Sequence, residues 1–172
     1  MLEILRLSHR IARDKRISTH IALTSRAFLA DNMYYSGEKD SSLESSIERI
    51  NKKFGSKFSI EYVKDPIRLV KEKKAKGCTI IHLTVYGLEL KTELPRIKSL
   101  KNILIIIGSE HVPFDFYKLA DINLSVTNQP HSELSALAIL LYELQQGKQL
   151  AYTDALLTIK PCKLGKLIKQ AI

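Results

Sequence analysis

The stretch that decides the fold is residues 124–144, LSVTNQPHSELSALAILLYEL. The run from Leu124 to Val126 is typical of the end of a buried strand, and six polar or turn-forming residues follow it. Ser132 then offers a helix N-cap, because its hydroxyl can accept a hydrogen bond from the first helical turn. Leucine and alanine recur at helical spacing on more than one face, so this helix needs cover from a sheet and from something else. A polar loop between a buried strand and a buried helix is where α/β proteins bind ligands.

The composition is that of a single globular domain. With 172 residues, 45% hydrophobic and 26% charged, the chain can bury a core and is too apolar for a disordered protein. No apolar run reaches the length of a membrane span and the N-terminus lacks a signal-peptide core, so we expect a cytoplasmic protein. Cys78 and Cys162 form no CxxC motif and the histidines lack zinc-ligand spacing, so we expect neither a disulfide nor a metal site.

The positive charge indicates a polyanionic partner, most simply nucleic acid. Lys and Arg number 27 against 18 Asp and Glu, which gives a formal net charge of +9. We interpret residues 8–17 as a basic loop that precedes a helix over 19–30. Five basic residues in and beside this loop are predicted to bind phosphates: Arg6, Arg10, Arg13, Lys15 and Arg16.

The C-terminal segment and the aromatic content leave less clear signals. Four lysines between Lys160 and Lys169 either form a solvated helix face or present their charge to nucleic acid while the interleaved leucines pack on the body. Aromatic residues make up only 7% of the chain and Trp is absent. The sequence therefore does not indicate a base-stacking platform of the kind that single-strand binders use.

Strand-like and helix-like segments alternate along the chain, which predicts an α/β fold with a mostly parallel sheet flanked by helices. The segment 102–107, NILIII, is typical of a strand that is covered on both faces. Three strands end in unusual loops: LTVYGL at 83–88, GSEHVP at 108–113 and TNQPHS at 127–132. In a parallel sheet such loops lie at one edge and can build one pocket. None of them is a GxGxxG motif or a P-loop, so phosphate cradles of those types are not supported.

The segments LTVYGL, IIIGSEHVP and NQPHSELSALA resemble parts of the archaeal tRNA cytidine-56 2′-O-methyltransferases, members of the SPOUT class, and so does LRLSHRIARDKRISTHIALTSRAF near the N-terminus. The resemblance runs from residue 2 to about 146. It implies one SPOUT domain over 1–172, with a C-terminal trefoil knot and the cofactor site at about 80–146 and a basic segment at about 150–172. Such knots are exceptions to the rule that protein chains are unknotted.

The resemblance also implies the reaction and its partners. S-adenosylmethionine would be held by the three loops, the protein would be a homodimer, and no metal would be needed. The substrate would be tRNA, methylated on the ribose 2′-hydroxyl of cytidine 56 in the T-loop. The cofactor-binding residues implied are Leu83, Gly87, Gly108, Ser109, Glu110, His111, Val112, Thr127, Asn128, Gln129, Pro130, His131, Ser132, Glu133 and Leu134.

Three residues receive catalytic roles from the resemblance: Arg26, Glu110 and Ser132. His20 and Arg26 are six apart, the spacing of the Asn and the catalytic Arg in the first motif of related ribose methyltransferases. A guanidinium is a poor base, so anion binding and stabilisation of developing oxyanion charge suit Arg26 better than proton removal. Glu110 matches an acidic residue of the second motif. The proton acceptor stays open among His131, Ser132 and Glu133.

Two other functions compete with this one. A tRNA-binding protein that kept the fold but lost activity is disfavoured because the cofactor loops and Arg26 are retained. An α/β enzyme that acts on a small molecule is disfavoured by the net charge and the clustered arginines.

Overall fold

The computed structural model describes residues 1–108, 111–150 and 155–170, and in these residues six parallel strands form the central sheet. The strands of the chain are β1 (Leu2–His9), β2 (Asn32–Gly37), β3 (Ser59–Tyr62), β4 (Thr79–Glu89), β5 (Ile103–Ile107), β6 (Ile122–Ser125), β7 (Leu157–Lys160) and β8 (Leu167–Gln170). The helices are α1 (Ile11–Ala27), α2 (Ser41–Phe54), α3 (Pro66–Ala75), α4 (Leu90–Lys98), α5 (Phe114–Leu119) and α6 (Glu133–Gln145), and a 3₁₀ turn lies at Lys148–Leu150.

The sheet order is β3-β2-β1-β5-β4-β6, so the prediction of a mostly parallel α/β sheet is confirmed. The strand β5 is buried along its whole length because it pairs with β1 on one side and β4 on the other. One core lies between the sheet and α1, α2, α4 and α6. A smaller core lies on the other face, under α3 and α5. Both faces of the central strands are therefore covered, as the apolar run NILIII predicts.

The prediction of a basic loop at 8–17 is wrong, because α1 already begins at Ile11. The side chain of the N-cap residue Arg10 does not cap the helix. Instead, a carboxylate oxygen of Glu38, at the end of the neighbouring strand, accepts a hydrogen bond from the Ile11 N–H at 2.6 Å. This partner lies 27 residues away in the sequence, so no local capping pattern could indicate it.

The strand β4 meets the edge strand β6 twice. Leu83 and Leu88 both pair with Leu124, and the residues between them leave the ladder as a short projecting loop. Gly87 ends this loop against β6, so closely that a β-carbon would lie 2.5 Å from the Leu124 carbonyl carbon. The absence of a side chain at Gly87 is what lets the loop return to the sheet.

The C-terminal segment forms an antiparallel hairpin of β7 and β8 and not a helix, so the interpretation of its lysines as a helix face is wrong. The backbone pairs within the hairpin, and the side chains of β8 are all exposed. None of the helices in the described residues is long and apolar enough to span a membrane.

Candidate active site

A cavity of about 370 Å³ opens at the carboxyl ends of β4, β5 and β6, where the three predicted loops meet. We call it the loop cavity. Its wall is formed by His82, Leu83, Thr84, Val85, Tyr86, Gly108, Val112, Tyr117, Leu124, Val126, Pro130, His131, Glu133 and Ala136. Much of this wall is apolar, and a few polar atoms point inward, which is the usual composition of a cofactor site.

Asn128 joins the first and third loops. Its side-chain amide donates to the backbone carbonyl of Val85 at 2.6 Å and to that of Gly87 at 3.3 Å. Asn128 was predicted to bind the cofactor, and the structure instead places its side chain on the projecting loop of β4. Two hydrogen bonds from Asn128 therefore connect the third loop to the first. Their backbone acceptors lie 43 and 41 residues away in the sequence and come within reach only in the folded structure.

His82 lies on the wall of the loop cavity and has one ring nitrogen without a partner in the described residues. Its Nδ1 lies 2.9 Å from Asn123 Oδ1, and the Asn123 amide nitrogen donates to the Tyr117 carbonyl at 3.0 Å. Since that amide oxygen can only accept, Nδ1 carries the proton and Nε2 carries a lone pair. His82 Nε2 is buried and has no hydrogen-bond partner among the described residues. Burial lowers the pKa of His82, so the ring stays neutral.

His131 presents a second acceptor. Its Nδ1 lies 3.0 Å from the backbone oxygen of Ser132, which fixes the proton on Nδ1 and leaves a lone pair on Nε2. His131 Nε2 is also buried without a partner in the described part of the chain. The Ser132 hydroxyl caps α6 by accepting from the Leu134 N–H at 3.2 Å, and Ser132 is not on the cavity wall. Of the three candidate proton acceptors, His131 and Glu133 thus reach the loop cavity.

Arg6 and Glu133 form an ion pair beside the cavity, with Arg6 Nη2 3.3 Å from Glu133 Oε1. The Arg6 side chain is completely buried, whereas the Glu133 side chain is 30% exposed. Burial lowers the pKa of Arg6, and the negative charge of Glu133 acts in the opposite direction. The prediction that Arg6 binds nucleic-acid phosphate is therefore wrong, because a buried guanidinium cannot reach a phosphate at the surface.

The other predicted phosphate-binding residues lie at the N-cap and in the first half of α1, close to the carboxyl edge of the sheet. Arg10 pairs with Asp14, with its Nε 3.0 Å from the carboxylate. Arg13, Lys15 and Arg16 are exposed. Three of the five predicted cations thus stand on the surface of one helix, where phosphates can approach them.

Arg26 lies far from the loop cavity of its own chain. Its Nε donates to Asn51 Oδ1 at 2.8 Å, and its Nη2 donates to the backbone carbonyl of Gly55. Asn51 in turn donates to the carbonyl of Phe58, directly before β3 begins. This arrangement holds the ends of α1 and α2 together at the edge where the strands start, opposite the three loops.

The remaining predicted residues divide into three groups. Ser109 and Glu110 lie outside the described residues. His111, Thr127 and Gln129 are exposed and do not line the cavity. Leu134 packs against the core. Within the described residues, no group of three or more His, Cys, Asp and Glu side chains is placed to hold a metal ion.

Sequence reasoning missed four polar or aromatic wall residues: His82, Thr84, Tyr86 and Tyr117. Thr84 and Tyr86 belong to the loop motif LTVYGL, from which only Leu83 and Gly87 were predicted to bind the cofactor. A prediction that took every residue of this motif would have found Thr84 and Tyr86. Tyr117 lies in α5 and comes to the cavity through its hydroxyl, 3.2 Å from Thr84 Oγ1, and a ring contact with His82. No local pattern marks that approach.

Comparisons with known proteins identify the family of the chain. The model of the family described as tRNA ribose 2′-O-methyltransferase, aTrm56, matches residues 54–169. A tRNA (cytidine(56)-2′-O)-methyltransferase from Methanosphaera stadtmanae is 46% identical over 164 residues, which cover 94% of each chain. The protein of the same name from Thermococcus kodakarensis is 43% identical over 176 residues, or 99% of this chain and 97% of the relative.

Solved structures with low sequence identity share the fold. The SpoU methyltransferase AviRb from Streptomyces viridochromogenes, solved in complex with AdoMet, has a TM-score of 0.61 at 16% identity, over 86% of this chain and 58% of that one. The A. aeolicus TrmH/SpoU tRNA modifying enzyme has a TM-score of 0.59 at 16% identity, over 87% of this chain and 75% of that one. The predicted SPOUT-type fold class is thus confirmed, and the matches over nearly the whole length show that the chain belongs to the family of tRNA ribose 2′-O-methyltransferases, aTrm56.

Proposed function

We propose that this protein transfers a methyl group from S-adenosylmethionine to the ribose 2′-hydroxyl of cytidine 56 in tRNA. The relatives that match nearly the whole chain carry the name of this activity. The observation that carries the proposal is the loop cavity itself, whose wall takes residues from all three loop motifs at the carboxyl ends of β4, β5 and β6.

The wall of the loop cavity fits S-adenosylmethionine. Apolar side chains such as Leu83 and Val126 suit an adenine ring, and His82 Nε2 needs a hydrogen-bond donor, which the cofactor's amino and hydroxyl groups offer. Glu133 adds a carboxylate to the wall, and the buried Arg6 guanidinium beside it offsets the charge. When bound, this cofactor supplies an electrophilic methyl group on a sulfonium.

The residues of the chain then have three tasks: binding, orientation and proton removal. Arg6 holds Glu133 in place by their ion pair. We assign proton removal from the ribose hydroxyl to His131, because it lines the loop cavity and the bond from its Nδ1 to the Ser132 carbonyl leaves Nε2 as the acceptor. The wall would hold the two reactants close to each other.

Homology to ribose methyltransferases also supports roles for Arg26, Glu110 and Ser132. The Ser132 hydroxyl accepts from a backbone N–H and keeps its own proton available for donation to a substrate oxygen. Arg26 lies at the opposite edge of the sheet, so a catalytic role requires that it serve the cavity of a second copy. A homodimer is also supported by α6, on which Ile139 and Tyr142 are exposed.

Mixed dimers test the role of Arg26. If Arg26 serves the partner's cavity, Arg26→Ala and Glu133→Gln proteins, each inactive alone, will recover activity when they are mixed and allowed to exchange subunits. One cavity of each mixed dimer then has both intact residues. Recovery in the mixture supports the shared site, whereas activity of Arg26→Ala alone contradicts a catalytic role for Arg26.

The partner in the cell is tRNA, and a cytoplasmic location fits this substrate. Arg13, Lys15 and Arg16 on α1 would bind its phosphates. Because each phosphate contact releases counterions, tRNA affinity should fall steeply as salt concentration rises. A charge-removing change at Lys15 and Arg16 should lower the slope of log affinity against log salt by about one for each cation lost.

A methyl-transfer assay with unmodified tRNA transcript tests the function as a whole. Methyl incorporation is expected with the normal transcript and should disappear when cytidine 56 is replaced by 2′-deoxycytidine. Cofactor binding without any methyl transfer would instead favour a tRNA-binding protein that has lost catalysis. Calorimetric titration with the cofactor alone distinguishes that outcome from a misfolded preparation.

A further inference from the structure

Two aromatic side chains stand exposed where the loop cavity opens. Tyr86 is 83% exposed and Phe114 is 68% exposed. Tyr86 belongs to the projecting loop of β4 and forms part of the cavity wall. Phe114 is the first residue of α5, and its ring stacks on Tyr117, another wall residue, with 6.0 Å between centroids and 29° between planes. Large apolar side chains in such positions mark interaction sites more often than chance exposure does.

These rings belong to one connected array that reaches from the cavity interior to the surface. The buried His82 ring meets Tyr117 edge-on at 4.5 Å. The Tyr117 hydroxyl lies 3.2 Å from Thr84 Oγ1, and the same oxygen accepts from the Tyr86 backbone N–H at 3.4 Å. Phe114 is thus joined to the Thr84–Tyr117 contact through its ring, and Tyr86 through its backbone N–H.

A positive charge accompanies the array. Lys118 Nζ lies 4.9 Å from the centroid of the Phe114 ring. A ring with a cation beside it suits a ligand that combines a π-face with negative charge, as a nucleotide does. A purely apolar protein partner would have to desolvate this ammonium group without a counter-charge.

We propose that Tyr86 and Phe114 form a stacking platform for the base of the target nucleotide, with Lys118 near its phosphate. This inference rests on the proposed function, since a ribose that enters the loop cavity must bring its base out of the RNA stack. Bases that leave the stack are commonly received by aromatic side chains. The tertiary structure therefore provides a platform that the low aromatic content of the sequence does not indicate.

The first test measures KM for tRNA in Tyr86→Ala and Phe114→Ala. Loss of one stacking partner should raise KM about 5- to 100-fold, which corresponds to roughly 1–3 kcal/mol per base. The variants Tyr86→Phe and Phe114→Tyr keep a ring and should stay within about threefold of the wild type. Leu164→Ala, which removes a side chain that is 84% exposed on the C-terminal hairpin, is the control for general loss of apolar surface. Cofactor affinity should stay unchanged in Phe114→Ala, whose residue does not line the cavity.

A base-deleted substrate makes the test specific. A tRNA with an abasic ribonucleotide at the target position keeps the reacting 2′-hydroxyl but has no base to stack. The wild type should use it as poorly as the double variant Tyr86→Ala/Phe114→Ala uses normal tRNA, and the double variant should lose nothing further on it. If the alanine variants lose as much activity relative to the wild type on abasic tRNA as on normal tRNA, the platform is overturned. The rings would then act on some other part of the tRNA than the base.

Three further outcomes are informative. Unchanged KM in both alanine variants, with active wild type, overturns the stacking role and leaves the methyltransferase function intact. Absence of methyl transfer by the wild type to any tRNA overturns both. A change from dimer to monomer in light scattering of Phe114→Ala would show that the rings cover a second copy of the chain, which also contradicts the proposal.

Discussion

Replacement of Gly87 by alanine tests whether the close approach of β4 and β6 shapes the loop cavity. A β-carbon at this position would lie 2.5, 2.6 and 2.7 Å from three backbone atoms of Asn123 and Leu124. Ordinary contacts of this kind start at 3.4 Å, so the edge strand β6 would have to retreat by roughly 0.9 Å. Backbone atoms cannot rotate away as a side chain can, and the strand must give up ladder hydrogen bonds to move.

The cost follows from this geometry. Overpacking in a well-packed region costs about 1–3 kcal/mol, and a backbone obstacle places Gly87→Ala near the upper end, at about 3 kcal/mol. The shift would also displace Val85 and Tyr86, which line the cavity. We therefore expect a loss of about 3 kcal/mol in the free energy of unfolding and at least a roughly tenfold weaker affinity for S-adenosylmethionine.

Urea unfolding and calorimetric titration with cofactor measure the two effects, and Gly77→Ala is the matched control. Gly77 has a positive φ of 79°, but a β-carbon there would meet nothing within 4 Å, so only backbone strain of about 1–2 kcal/mol should result. It lies between α3 and β4, away from the cavity, and cofactor affinity should not change. Equal destabilisation by the two substitutions, or normal cofactor binding by Gly87→Ala, would refute the close-approach argument.

Three other predictions follow from buried groups. Arg6→Met should lower the free energy of unfolding, measured by urea titration, by about 2 kcal/mol. This loss is smaller than for a fully buried pair because Glu133 reaches solvent. Adding Glu133→Gln to the same chain should restore over half of the lost free energy. If Arg6→Met proves neutral, the ion pair does not stabilise the fold. Burial lowers the pKa of His82, so below pH 6.5 the unfolded chain binds more protons than the folded chain, and the free energy of unfolding should fall as the pH drops below that value. The fall of the free energy of unfolding with pH should be smaller in His82→Gln. An unchanged dependence on pH would exclude His82 as its source. Cys78 is buried, and burial also raises the pKa of its thiol, so a thiol reagent should modify Cys78 only on unfolding. The exposed Cys162 should react rapidly. Fast reaction of both thiols would show that the start of β4 opens in the folded protein.

The sequence by itself determined the order and type of most elements and the place of the site. Alternating strand and helix patterns predict the parallel sheet, because period 2 and period 3.6 are local properties of the chain. The start of α3 is also a local pattern, because the Asp65 carboxylate accepts from the Arg68 N–H and Pro66 is the first helical residue. The three loop motifs indicate the family, and they do meet at one cavity, since the carboxyl ends of parallel strands share an edge.

The tertiary structure alone decided which side chains face that cavity and which serve the fold. The start of α1 depends on Glu38, 27 residues away, and the burial of Arg6 depends on the approach of Glu133 from the far end of the chain. Arg26 is likewise held by partners on α2 and beyond. Such partners are set by how the elements pack, and sequence periodicity carries no information about them. For the same reason, a chain with few aromatic residues can still bring Tyr86 and Tyr117 to the wall of one cavity, with Phe114 against Tyr117.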